Sequence, residues 1–175
     1  SGSGDKYSSF WVGLDGYSSN SVEQTGTDTD CSGSTPEYYG WYEMYPNPSY
    51  NFGNSISPGD TIKASVSYQG SNKYLLSLSD VTKGWTTTTT QTLSGAPRNS
   101  AEVILEAPCC TNSGGVLPLA DFGTVNISDS LVNGAAIGTT NPAEIIMINN
   151  SGQDKDTVSS LSNNENFSAT WIRSS

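Results

Sequence analysis

The sequence predicts an all-β protein, an antiparallel β-sandwich of two packed sheets of the jelly-roll or concanavalin-like kind. Apolar and polar residues alternate in short runs, as in Asp60-Thr-Ile-Lys-Ala-Ser-Val-Ser-Tyr68, and alternation is the signature of strands with one buried face. Turn residues punctuate these runs at short intervals, among them Ser57-Pro-Gly-Asp60, Asn112-Ser-Gly-Gly115 and Asn133-Gly134. No window sustains an apolar stripe at helical spacing.

In chain order the expected strands begin with Phe10-Trp-Val-Gly-Leu-Asp15 and Val22-Glu-Gln-Thr-Gly26, followed by Trp41-Tyr-Glu-Met-Tyr45. Residues 60–68 and 74–79 alternate cleanly. Trp85 and the threonines that follow it form a β-branched run that reads as an exposed or edge strand. Ser100-Ala-Glu-Val-Ile-Leu-Glu106, Gly123-Thr-Val-Asn-Ile-Ser128 and Phe167-Ser-Ala-Thr-Trp-Ile172 complete the set. Residues 142–148 fit either a strand or a helix, and the polar residues 150–166 read as one long turn. With 175 residues and no linker or internal repeat, residues 1–175 are expected to form a single domain.

Composition narrows the function. Seventeen acidic against seven basic residues give a net charge of -10, which repels phosphate backbones and anionic lipid and leaves no nucleic acid or membrane among the expected partners. Only 14% of residues are charged, so few paired carboxylates are lost to protonation in acid. Histidine is absent. The chain therefore builds no Ser-His-Asp triad, no Cys-His pair and no His-ligated zinc, and any hydrolysis rests on carboxylates and amides without a cofactor.

Three cysteines, Cys31, Cys109 and Cys110, are an odd set in which the adjacent pair is strained against closing on itself. A bridge from Cys31 to Cys109 or Cys110 is one expectation; buried unpaired thiols are the alternative. Asn126-Ile-Ser128, Asn149-Asn-Ser151 and Asn166-Phe-Ser168 are sequons whose use depends on the host.

Strand alternation places Glu102, Ile104 and Glu106 on one face and Ala101, Val103 and Leu105 on the other. Two carboxylates thus flank an isoleucine, on the face away from the apolar set. Trp41, Glu43 and Tyr45 likewise share a face, a carboxylate between two large aromatics, which suits a groove for extended peptides or sugars as well as a plain sheet edge. Gln24 is ordinarily a surface amide. In a His-free hydrolase, however, an amide offers both the donor for an oxyanion and the acceptor that holds a water. Asp15 and Asp28 flank this region and are placed to orient or tune it.

In order and approximate spacing, WVGLDG, QTGTD, WYEMYP, SPGDTI, AEVILEAP and VLPLADFGTV resemble the glutamic peptidases, the eqolisins or peptidase family G1. The resemblance implies an acid-acting, secreted endopeptidase on a β-sandwich. Its catalytic glutamine falls on Gln24 and its catalytic glutamate on Glu102, with Trp11, Asp15 and Glu43 lining the same site. Trp41, Tyr45 and Glu106 are further substrate-binding candidates, and protein or peptide substrates are the expected partners. Val103 stands where the family usually has an aromatic. The family's upstream strand has no counterpart before Trp11-Val-Gly, so the expectation is either a short processed N-terminal light chain or a sequence that starts part-way into the protein. A jelly-roll glycoside hydrolase using Glu43 and Glu102, or a non-catalytic carbohydrate- or peptide-binding sandwich, are the alternatives.

Overall fold

A computed structural model describes residues 4–108 and 115–175, so the expected bridge to Cys109 or Cys110 lies outside the described residues. The chain forms two compact units, one of Ser9–Thr29 and Pro36–Ile104, the other of the residues up to Ser8 with Asp30–Thr35 and Leu105–Ser175. Among the described residues there is no α-helix.

The strands in order are β1 (Ser9–Asp15), β2 (Val22–Ser32), β3 (Thr35–Tyr45), β4 (Tyr50–Ser55), β5 (Ile62–Gly70), β6 (Lys73–Asp80), β7 (Trp85–Thr92) and β8 (Ala101–Glu106). One sheet runs β4-β3-β2-β1-β8 and a second runs β5-β6-β7. Every expected strand in this part of the chain is present. The threonine run is β7, at an edge of the second sheet.

Alternation explains how these sheets pack. Tyr74, Leu76 and Leu78 on β6 are fully buried, whereas Lys73 on the other face is exposed. Tyr74 and Leu76 meet Met44 and Ala96, with Leu14, Tyr42, Val66 and Leu93 packed around them. Full burial of such side chains contributes roughly 1.5–3 kcal/mol each. The contributors come from both sheets, which is what makes this unit a sandwich. Gly40 permits the close approach, because a Cβ there would stand 2.4 Å from Leu78 Cδ2.

The other unit holds β9 (Thr124–Ile127), β10 (Leu131–Val132), β11 (Ala135–Ala136), a 3-10 turn at Ile137–Thr140, β12 (Asp156–Val158) and β13 (Phe167–Trp171). Its sheet runs β12-β13-β9, and β10 pairs with β11 as a hairpin. Asn133 and Gly134 both adopt positive φ, 51° and 78°, as a two-residue hairpin loop of matching twist requires.

Residues 150–166 are not the single turn expected, since β12 lies within them. The buried members there are Lys155 and Asp156 rather than apolar residues, so no apolar alternation marks the strand. Lys155 Nζ donates to the Leu117 carbonyl at 2.5 Å, and the Met147 amide donates to Asp156 at 3.2 Å. Burial pulls the Lys155 ammonium below its ordinary pKa and pushes the Asp156 carboxyl up. Residues 142–148, left open between strand and helix, form neither; Ile148 makes an isolated bridge to Asp154.

Gly26 on β2 sits opposite Trp11 on β1, and a Cβ there would lie 2.1 Å from the Phe10 carbonyl oxygen and 2.6 Å from Trp11 Cβ. Backbone cannot yield as a flexible side chain can. Gly26→Ala is therefore expected to destabilise the protein by about 2 kcal/mol or more, read as a lower urea midpoint at unchanged slope.

Candidate active site

Gln24 lies mid-strand on β2, opposite Gly13 of β1, and is 8% exposed. Its Nε2 donates to Glu43 Oε2 on β3 at 2.5 Å. The half-buried Glu43 carboxyl is pushed above its ordinary pKa by burial and by the nearby Asp28 charge, against the opposing pull of the Gln24 hydrogen bond.

Asp28 accepts from Ser9 Oγ, from Trp41 Nε1 at 2.7 Å and from Tyr39 OH at 2.9 Å. Burial raises its pKa, and those three donors oppose the rise. Gln24, Gly26 and Asp28 alternate along β2, and Trp11 and Gly13 sit opposite the first two on β1. The Trp11 indole occupies the room the glycines leave: its Cζ3 is 2.9 Å from where a Gly13 Cβ would be. The glycines of the WVG and QTG motifs thus leave room for the tryptophan on the strand next to Gln24.

Glu102 is on β8, the neighbour of β1 on the side away from β2. Its Oε1 stands 2.9 Å from the position a Cβ on Gly16 would take, just past the end of β1. The strand order β3-β2-β1-β8 thus carries Glu43, Gln24, Trp11 and Glu102 on four successive strands.

The remaining candidates fall in different settings. Trp41 is buried at 7% exposure, tied to Asp28 by its indole, while Tyr45 at the end of β3 is 49% exposed. Glu106 is half-buried at the end of β8, in the unit that holds Leu105–Ser175. Asp15 has no exposed surface; its two carboxylate oxygens accept the backbone amides of Arg98 and Asn99, each at 2.9 Å. It sits at φ 69°, where the chain leaves β1. Cys31, on β2, is half-buried. No cluster of three or more potential metal ligands occurs among the described residues.

Sequence reading passed over Glu23. It is fully buried, and neither carboxylate oxygen meets a hydrogen-bond partner among the described residues. Burial first, then the Asp15 charge, push its pKa up to about 8. Alternation from Gln24 would have placed Glu23 on the opposite, core-facing side of β2; a charged residue at such a position is the signal that was available.

Both the sequence and the fold match known proteins. Over 129 residues, or 70% of the chain, the sequence is 31% identical to Aspergillopepsin-2 of Aspergillus niger, and it spans 44% of that relative's length. The fold superposes on the crystal structure of aspergilloglutamic peptidase from Aspergillus niger with a TM-score of 0.83 at 25% identity, covering 95% of this chain and 99% of that one. Scytalido-glutamic peptidase with a transition state analog inhibitor gives 0.82 at 27% identity, over 98% of this chain and 86% of that one. Residues 1–171 match the Peptidase A4 family, and the chain belongs to that family, the glutamic peptidases.

Proposed function

We propose that the chain is an acid-acting endopeptidase in which Glu102 is the general base and Gln24 the oxyanion donor. The observation that carries this reading is the Gln24 amide, buried and oriented by Glu43 beside Trp11, with the strand of Glu102 one further along the sheet. One Nε2 hydrogen goes to Glu43, which leaves the second to a reacting oxygen while Oε1 accepts from a water.

In the first step Glu102 takes a proton from that water as its oxygen attacks the scissile carbonyl carbon. The carbonyl becomes a tetrahedral oxyanion that the free Gln24 N–H stabilises. As the C–N bond breaks, protonated Glu102 returns the proton to the departing amine, and the carboxylate is restored. Nothing covalent forms between enzyme and substrate. Trp11 and Tyr45 supply aromatic surface for an extended peptide; Trp41, Asp28 and Glu43 hold that surface and the amide in place.

The reading extends to three finer points. Secretion into an acidic medium is the first, and the 14% charged fraction suits the acid. A disulfide from Cys31 to Cys109 or Cys110 is tested by peptide mapping without reductant, and a processed light chain by mass spectrometry of undenatured natural material.

Glu102→Gln, nearly isosteric, is expected to abolish digestion of a denatured protein at acid pH while leaving the melting curve intact. Gln24→Ala should lower kcat about 10²-fold, the scale of one lost oxyanion donor. Near wild-type turnover by Glu102→Gln refutes the assignment, and if Glu43→Gln is then the inactive variant, a paired-carboxylate hydrolase takes its place. Under the proposed mechanism Glu43→Gln retains activity but lowers kcat roughly tenfold to a hundredfold, because a misoriented amide costs alignment rather than the base.

A further inference from the structure

We propose that Asp15 and Glu23 form a proton-gated latch that holds the start of β8, and with it Glu102, against the end of β1. Asp15 is a positioning residue here, and the inference rests on Glu102 being the base.

The latch is built from one residue's bonds to three consecutive residues. Asp15 Oδ2 and Oδ1 accept the amides of Arg98 and Asn99, and the Asp15 amide donates to the Ser100 carbonyl, all at 2.9 Å. Ala101 begins β8 and Glu102 follows it. Gly16, next to Asp15, makes room for Glu102 Oε1. Asp15 thus ties down the three residues that lead into Glu102, in addition to the pairing of β8 with β1.

Glu23 approaches the same carboxyl from β2, and both residues are fully buried. Three other groups face this pair. Ser21 lies near Glu23, and Tyr74 reaches in from β6. Arg98 brings the one nearby positive charge, but its guanidinium donates to Tyr74 OH at 3.3 Å and to the Ala96 carbonyl at 3.1 Å. It also stacks on the Tyr68 ring of β5 at 4.2 Å. Asp15 has both oxygens filled by amide hydrogens, so a proton kept by the pair resides on Glu23. Its loss places two like charges in a buried site where the Ser21 hydroxyl is the neutral donor at hand for the second.

The sign follows from the raised pKa of Glu23. Folding favours its protonated form, so the stabilisation is complete below the ordinary value of 4.5 and is lost as pH rises toward about 8. The latch is closed in acid and opens toward neutrality.

Thermal melts of wild type and Glu23→Gln across that interval test the gate without reference to catalysis, so its failure is distinct from failure of the peptidase reading. The wild-type Tm is expected to fall steeply as pH rises and the variant's far less, with at least a tenfold slower inactivation of the variant at neutral pH. Parallel curves overturn the proposal. Glu23→Gln should keep acid activity within about twofold, while Asp15→Asn, folded in acid, should lose kcat about tenfold or more with KM little changed. A folded Asp15→Asn with wild-type kcat overturns the positioning role. Should Glu23→Gln not fold, hydrogen exchange of the wild type decides: the Arg98 and Asn99 amides, corrected for intrinsic rate, lose protection toward neutral pH while β6 keeps its own. Protection lost in β6 at the same pH, or kept at both, overturns the gate.

Discussion

With no histidine and only seven lysines and arginines, a carboxyl buried in this fold has few cations to meet and turns mostly to neutral donors or keeps its proton. That constraint shows at four acids of the sandwich unit, whereas Asp60 is met by the Lys83 ammonium at 2.9 Å. Asp28 is met by a hydroxyl, a phenol and an indole. Glu43 is met by the amide of Gln24, and Asp15 by two backbone N–H groups. Glu23 has the Ser21 hydroxyl near it, and burial first, then the Asp15 charge, raise its pKa. Neutral donors hold an ionised carboxylate less strongly than a guanidinium would, so burial dominates and the pKa values of Glu43 and Asp28 rise as well. Such a molecule is suited to acid by the way its buried acids are solvated, before any question of catalysis.

The architecture was legible because alternation reports one buried face, and the strands of the sandwich unit show it. The strand of Glu102 was legible in the same way, although its residues are half-buried throughout and show no alternation in burial. The glycines of WVG and QTG were visible as motif letters, but their purpose was not. It takes the third dimension to see that Gly26 stands opposite Trp11 and that the indole covers Gly13. What alternation reads poorly is a buried position occupied by a polar residue. Glu23, Asp15, Lys155 and Asp156 are all of this kind, and they account for the missed buried acid, for an aspartate expected to line a substrate site that is instead wholly enclosed, and for β12 hidden in an apparent turn.

Glu43 shows how a correct placement can leave a role open. Its position between Trp41 and Tyr45 on one face suggested a groove carboxylate, equally suited to gripping a sugar or a peptide. The hydrogen bond to Gln24 favours a different job. A primary amide is symmetric enough in shape that packing alone scarcely distinguishes its oxygen from its nitrogen, whereas an acidic acceptor on one side does. With Nε2 turned toward Glu43, Oε1 is turned the other way, and the amide acquires a defined polarity along the sheet. A glycosidase-type pair would need both carboxylates directed at substrate, and one of them is here engaged by an amide.

β2 joins these arguments, since its consecutive residues Glu23 and Gln24 serve opposite faces of one sheet. Gln24 is held from β3 by Glu43, and Glu23 meets Asp15 at the end of β1, the residue that also bonds the backbone leading into β8. A rigid strand cannot shift one of the two without the other. Ionisation on the core face would therefore reach the catalytic face by two routes, through β2 to the amide and through Asp15 to Glu102. Both end on the dyad proposed to share one water, where an ångström of displacement is enough to cost most of the rate.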